Sequence, residues 1–96
     1  MKYLVIDAQL HGTGIRDHYE GGYIDPHTLA LTDDIINRIN EWLIKYEEEH
    51  YNSFEDEATI NILDNEGLEI ATKIKKQLHD AKIYYYSAAR MTKVDV

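Results

Sequence analysis

Two helix-length apolar repeats between Thr32 and His79, joined by a short acidic connection that carries tyrosine, constrain this chain more than any other feature. In the first repeat Ile35, Ile36, Ile39, Trp42, Leu43 and Tyr46 recur at steps that place them on one helix face. Thr32 precedes them as an N-cap, and Asp33 and Asp34 fall where carboxylates favour the positive end of the helix dipole. Leu31 and Ile36 have the spacing of a hydrophobic staple. The pattern predicts a helix running to about Glu49. In the second repeat Ile60, Leu63, Gly67, Ile70, Ile74 and Leu78 follow at helical steps. Ser53 with Asp56 supplies its cap signal, and Lys73, Lys75 and Lys76 complement its C-terminal end. A glycine costs about 1 kcal/mol against alanine inside a helix. Asp64-Asn65-Glu66-Gly67 is therefore a candidate break that would leave two shorter helices.

Strands flank this helical middle. Lys2 to Leu10 is short and rich in Tyr, Leu, Val and Ile, the pattern of a buried strand, and Gly12 and Gly14 end it. Lys82-Ile83-Tyr84-Tyr85-Tyr86 has high strand propensity, with its tyrosines alternating between faces. A turn at Ser87–Arg90 leads to an expected edge strand over Met91–Val96, with Val94 and Val96 on one face. Residues 11–31 show no sustained period and hold the only proline. They read as a long loop with a turn at Asp25-Pro26 and a short strand or turn at Tyr23-Ile24. The expectation is an α/β fold, a single domain over residues 1–96. It would have a small sheet of two to four strands in β-loop-α-α-β-β order, packed with two or three helices. A helical crossover makes the two main strands parallel, joined in the right-handed sense.

Composition narrows the function classes. A chain of 96 residues buries one modest core. With 44% hydrophobic and 29% charged residues it belongs with globular rather than disordered proteins. The absence of cysteine removes disulfides, thiolate zinc sites and cysteine nucleophiles, and suits a cytoplasmic setting. No apolar run approaches the roughly 20 residues of a membrane helix. Asp7 cuts the N-terminal run, which reads as a strand rather than a signal peptide. The net charge of −8 repels phosphate backbones and anionic membranes and attracts basic proteins. That charge is uneven. Glu41 to Glu69 holds ten acids against Lys45 alone, and Lys73 to Lys93 holds six bases against Asp80 alone.

Catalytic patterns are thin. His11-Gly12-Thr13-Gly14 is a lone G-x-G after a strand, with no P-loop lysine behind it, and reads as a tight turn. The five histidines form no helical ligand pair of the kind a zinc site uses, so no metal or cofactor is expected. Neither Ser53 nor Ser87 sits in a nucleophile elbow. Asp7 at the strand end reads as a carboxylate bound to loop N–H groups. The alternative function is a small enzyme or ligand-binding domain using Asp7, His11 and the glycine loop. It predicts a concave pocket at that strand end with several polar groups converging on it.

The acidic connection is the stronger candidate. Tyr46, Tyr51 and Phe54 interleave with Glu47, Glu48, Glu49, Glu55, Asp56 and Glu57. Aromatic anchors among charges are how small binding modules build hot spots and steer basic partners. Four stretches carry a resemblance over nearly the whole chain. They are Gly14-Ile15-Arg16-Asp17, Gly21-Gly22-Tyr23-Ile24-Asp25-Pro26, Ile39-Asn40-Glu41-Trp42-Leu43 through Glu48-Glu49-His50-Tyr51, and Tyr85-Tyr86-Ser87-Ala88-Ala89-Arg90-Met91. In them the chain resembles the small acidic immunity proteins that accompany bacterial toxins of contact-dependent inhibition and polymorphic toxin systems. The resemblance implies a non-enzymatic inhibitor that binds one cognate toxin domain and blocks its active site or substrate groove. A nuclease fits the charge, because nuclease clefts are basic. The expected contact residues are Asp17, Tyr19, Glu20 and Tyr23 in the long loop, with Glu47, Glu48, Glu49, Tyr51, Glu55, Asp56 and Glu57 in the connection. Direct nucleic-acid or membrane binding is not expected. The exposed tyrosines and the edge strand would allow a monomer or a weak homodimer.

Overall fold

Two antiparallel helices bridge two parallel strands, as the paired apolar repeats require. A computed structural model describes residues 1–96. The strands are β1 (Lys2–Ile6), β2 (Ile15–Asp17), β3 (Ala81–Ser87) and β4 (Thr92–Asp95); the helices are α1 (Asp33–Tyr51) and α2 (Glu57–Gln77). A short 3-10 turn covers Pro26–Thr28, where the Asp25 side chain accepts a hydrogen bond from His27 N. The mixed sheet runs β2-β1-β3-β4. β1 lies parallel to β3, with Leu4 opposite Ile83. Both outer strands are antiparallel to their neighbours, with Val5 opposite Arg16 and Tyr85 opposite Val94.

Strand alternation decides which face the helices cover. Leu4, Ile6, Ile15, Ile83 and Tyr85 join Ile39, Trp42, Tyr46, Leu63, Ile70 and Ile74 in one buried cluster. Both helices therefore lie on the same side of the sheet. Trp42 is fully buried and its indole N–H donates to Leu63 O at 2.9 Å, which ties α1 to α2. The other side of the sheet carries Tyr3, Arg16, His18, Tyr84 and Tyr86. There His18 stacks on Tyr84 at 4.4 Å, and the Arg16 guanidinium sits over the Tyr86 ring at 5.7 Å.

Four details differ from the sequence reading. First, β1 stops at Ile6 rather than Leu10, because Asp7 N turns to Gly14 O at 3.0 Å. Second, the expected loop 11–31 contains β2. Gly14 makes that strand's entry possible: its φ is +96°, and a Cβ there would lie 2.6 Å from Ile39 Cγ2. A strand of three residues is too short to show a period. Tyr23 also bridges Arg16, the interruption anticipated near Tyr23 and Ile24. Third, α2 is unbroken through residues 64–67, because Gly67 is where the Tyr85 ring meets the helix. Fourth, the cap of α2 is Asp56 itself, which accepts from Thr59 N at 3.2 Å and Thr59 Oγ1 at 2.8 Å. Ser53 instead takes a left-handed backbone, φ +58°, followed by Phe54 at +56°, and these residues reverse the chain between the helices.

Candidate functional site

The acidic connection forms a corner between α1 and α2 at the C-terminal end of the parallel strand pair. α1 continues to Tyr51, slightly past the expected Glu49, and the chain turns through residues 52–56. Phe54 closes the turn: its N–H donates to Glu49 O at 2.9 Å, and its ring packs edge-on against His50 at 4.8 Å. His50 Nε2 lies 2.8 Å from Ala8 O. A carbonyl only accepts, so this nitrogen carries the proton and bonds the corner to the segment after β1.

A buried carboxylate braces the corner from below. Asp64 accepts from Tyr46 at 2.8 Å, Tyr85 at 2.6 Å and Ser87 at 2.8 Å through their hydroxyls, and from Arg90 Nη1 at 2.7 Å. Arg90 also donates to Asn61 Oδ1 at 2.5 Å, and Ala89 N donates to the Tyr46 hydroxyl at 3.2 Å. The turn after β3 is thus fastened to both helices. Burial first, and then the neighbouring carboxylate, pushes the Tyr85 phenol far above the ordinary tyrosine range. Burial likewise raises Tyr46, partly offset by its Ser87 and Ala89 hydrogen bonds.

Charge concentrates at the corner because six acids fall within residues 47–57, while several acids on the helices and sheet are paired. Glu66 meets Lys45 at 2.7 Å and Arg38 at 3.8 Å, Glu69 meets Arg38 at 3.8 Å, and Asp95 meets Lys82 at 3.5 Å. Glu47, Glu48, Glu55 and Glu57 are exposed and belong to no ion pair. Tyr51 stands among them with 72% of its surface exposed. Two open hollows flank the turn. One of about 480 Å³ is lined by Glu49, Tyr51, Asn52, Ser53, Glu55 and Asp56. The other, of about 270 Å³, is lined by Phe54, Glu55, Glu57, Ile60, Ala89 and Arg90.

Not all the contact residues expected from sequence gather here. Asp17 ends β2, and its carboxylate accepts from Tyr19 N at 2.9 Å and Glu20 N at 2.8 Å. The Glu20 hydrogen bond is the main reason its pKa is lowered. The next residue donates from His18 N to Tyr3 O, which places Asp17, Tyr19 and Glu20 at the N-terminal end of β1, away from the acidic corner. Tyr23 reaches the C-terminal end of β1, where its hydroxyl donates to Asp7 Oδ1 at 2.9 Å. Within the connection Asp56 is committed to its cap, and Glu49 is largely buried, at the wall of the larger hollow.

Asp7 is fully buried and is engaged by Arg16 Nε and the Tyr23 hydroxyl, with Gln9 N more distant at 3.4 Å. Its chief partners are thus two side chains of the following segment rather than loop N–H groups. The hollow beside it, lined by residues 8–12 with Leu43 and Glu47, measures about 40 Å³. Ligand sites typically need roughly 300–1,000 Å³, so this end of β1 does not form the pocket that the enzyme alternative requires. No three His, Asp or Glu side chains are grouped as metal ligands.

Sequence reasoning missed Asp64, Arg90 and the His50 bond to Ala8. Asp64 did leave a signal, because it shares the apolar helical face of Ile60, Gly67 and Ala71. An acid on such a face is buried only with partners. No local pattern announces Arg90 or His50.

A family model described as Serratia CdiI immunity protein-like matches residues 3–88. No curated protein and no solved structure matches the chain.

Proposed function

The chain belongs to the Serratia CdiI immunity protein-like family, and on that premise we propose that it neutralises a cognate toxin by binding the toxin domain through the α1–α2 corner. The observation that carries this reading is the set of unpaired carboxylates, Glu47, Glu48, Glu55 and Glu57, around exposed Tyr51 on a braced support. The toxin class that fits is a nuclease, whose substrate groove must be basic to hold a phosphate backbone. Complementary charge raises the encounter rate, and Tyr51 supplies an aromatic anchor at the centre of the contact. Inhibition is then occlusion: the corner covers the groove, and no bond of the toxin is changed. A toxin surface that also reached Asp17, Tyr19 and Glu20 would have to span the length of β1.

The test is the association rate with the cognate toxin domain at low and high salt, for the native chain and for a variant with Glu47, Glu48, Glu55 and Glu57 all changed to glutamine. Loss of steering is expected to slow association at low salt by about tenfold or more and to flatten its salt dependence. An unchanged rate with unchanged salt dependence refutes the corner as the contact.

A further inference from the structure

We infer that Glu49 is a built receptor for one arginine side chain presented by the toxin domain, an inference that rests on the immunity reading above. Glu49 lies on the inner face of α1, one turn beyond Tyr46, and only 7% of its surface is exposed. Its Oε1 is buried with no hydrogen-bond partner. Buried carboxylates are normally satisfied by donors and paired with a cation. The chain's other two buried carboxylates follow that rule, Asp7 with Arg16 and Asp64 with Arg90. Glu49 alone lacks a cation.

The chain has no base positioned to supply it. Lys45 is held by Glu66 and Arg90 by Asp64 and Asn61, while the neighbouring His50 is turned to Ala8 O. What Glu49 does face is the open hollow of about 480 Å³, whose wall adds Glu55, Asp56, Asn52, Ser53 and Tyr51. That space admits a guanidinium. Two acids at the wall favour positive charge, and the Tyr51 ring offers a face on which a planar cation stacks. A guanidinium presents the paired donors that a carboxylate accepts side by side, which an ammonium cannot match. In this arrangement the exposed glutamates steer and Glu49 holds.

Two measurements test it. The first compares Glu49→Gln with the exposed control Glu47→Gln in dissociation from the toxin domain. Glu49→Gln is expected to speed dissociation on the order of 100-fold, as loss of a desolvated ion pair does, while leaving the thermal midpoint of the free chain equal or higher. Glu47→Gln should change dissociation by less than about threefold. Equal dissociation for Glu49→Gln and the native chain overturns the proposal. The second titrates the free chain with Nα-acetyl-arginine amide and follows backbone amide shifts. Shifts centred on Glu49, Ser53 and Glu55 that vanish in Glu49→Gln are expected, and shifts that survive the substitution overturn the site. An equal response to Nα-acetyl-lysine amide overturns the guanidinium assignment. If the native chain fails to bind the toxin at all, the immunity reading falls, and the arginine titration still decides whether the receptor exists.

Discussion

Replacing Gly67 with alanine sets two opposite effects on one residue. In an exposed helix the change would stabilise by about 1 kcal/mol. Here the new Cβ would come within 2.7 Å of both Cζ and Oη of Tyr85. That ring has little room to retreat: it is 3% exposed, lies against Trp42 at a centroid distance of 6.1 Å, and is held to Asp64 at 2.6 Å. Overpacking a filled core costs about 1–3 kcal/mol, and a hydrogen bond to a charged group is worth about 1.5–3 kcal/mol. After the propensity gain, the net expectation is a loss of about 1.5–5 kcal/mol. For a chain this short each kcal/mol moves the thermal midpoint by about 4–8 °C, so a fall of at least about 6 °C follows. Urea unfolding followed by Trp42 fluorescence measures it, because Trp42 is fully buried. A partner variant isolates the cause: in a Tyr85→Leu background the obstruction is gone, and Gly67→Ala should become neutral or favourable. If Gly67→Ala leaves the native chain as stable as before, or more stable, the reasoning is refuted.

Asp64→Ala strands three hydroxyls and the Arg90 guanidinium, and should cost about 3–5 kcal/mol in the same urea assay, with a loss below about 1 kcal/mol contradicting the bracing role. The alkaline limb of stability has a definite sign. Tyr23, Tyr46 and Tyr85 are all raised in the folded chain from the ordinary value of 10.0, with burial the leading cause in each. Their contribution is therefore intact below pH 10 and declines above it, as the unfolded chain gives up these protons more readily. In a spectrophotometric titration Tyr85 should ionise only together with loss of the helical circular dichroism, and Tyr85→Phe should remove absorbance from that late phase. Ionisation of Tyr85 while the helices persist would contradict its placement.

The helices and the parallel strand pair were legible because they rest on repeated apolar spacing and on a cap, Thr32, whose side chain accepts from Ile35 N. Alternation of the three tyrosines was legible in the same way, and the structure puts Tyr85 on the helix side. What stayed hidden depends on contacts far apart in sequence. β2 exists because Gly14 passes close to Ile39, and α2 crosses Gly67 without a break because Tyr85 packs there. Local composition sees neither partner, so one segment read as loop and the other as a break. The corner's exposed acids could be read from charge alone, whereas the difference between Glu49 and its neighbours could not. A run of three glutamates looks uniform until helical phase puts Glu49 on the side of Trp42 and Tyr46.

Amide hydrogen exchange of the chain, free and bound to its cognate toxin domain, tests the central claim most directly. New protection is expected to concentrate in residues 47–57, strongest around Glu49 and Tyr51. Binding that leaves those residues unchanged, and instead protects the open sheet face around Tyr3, Tyr84 and Tyr86 or the turn at Asp17, would contradict it.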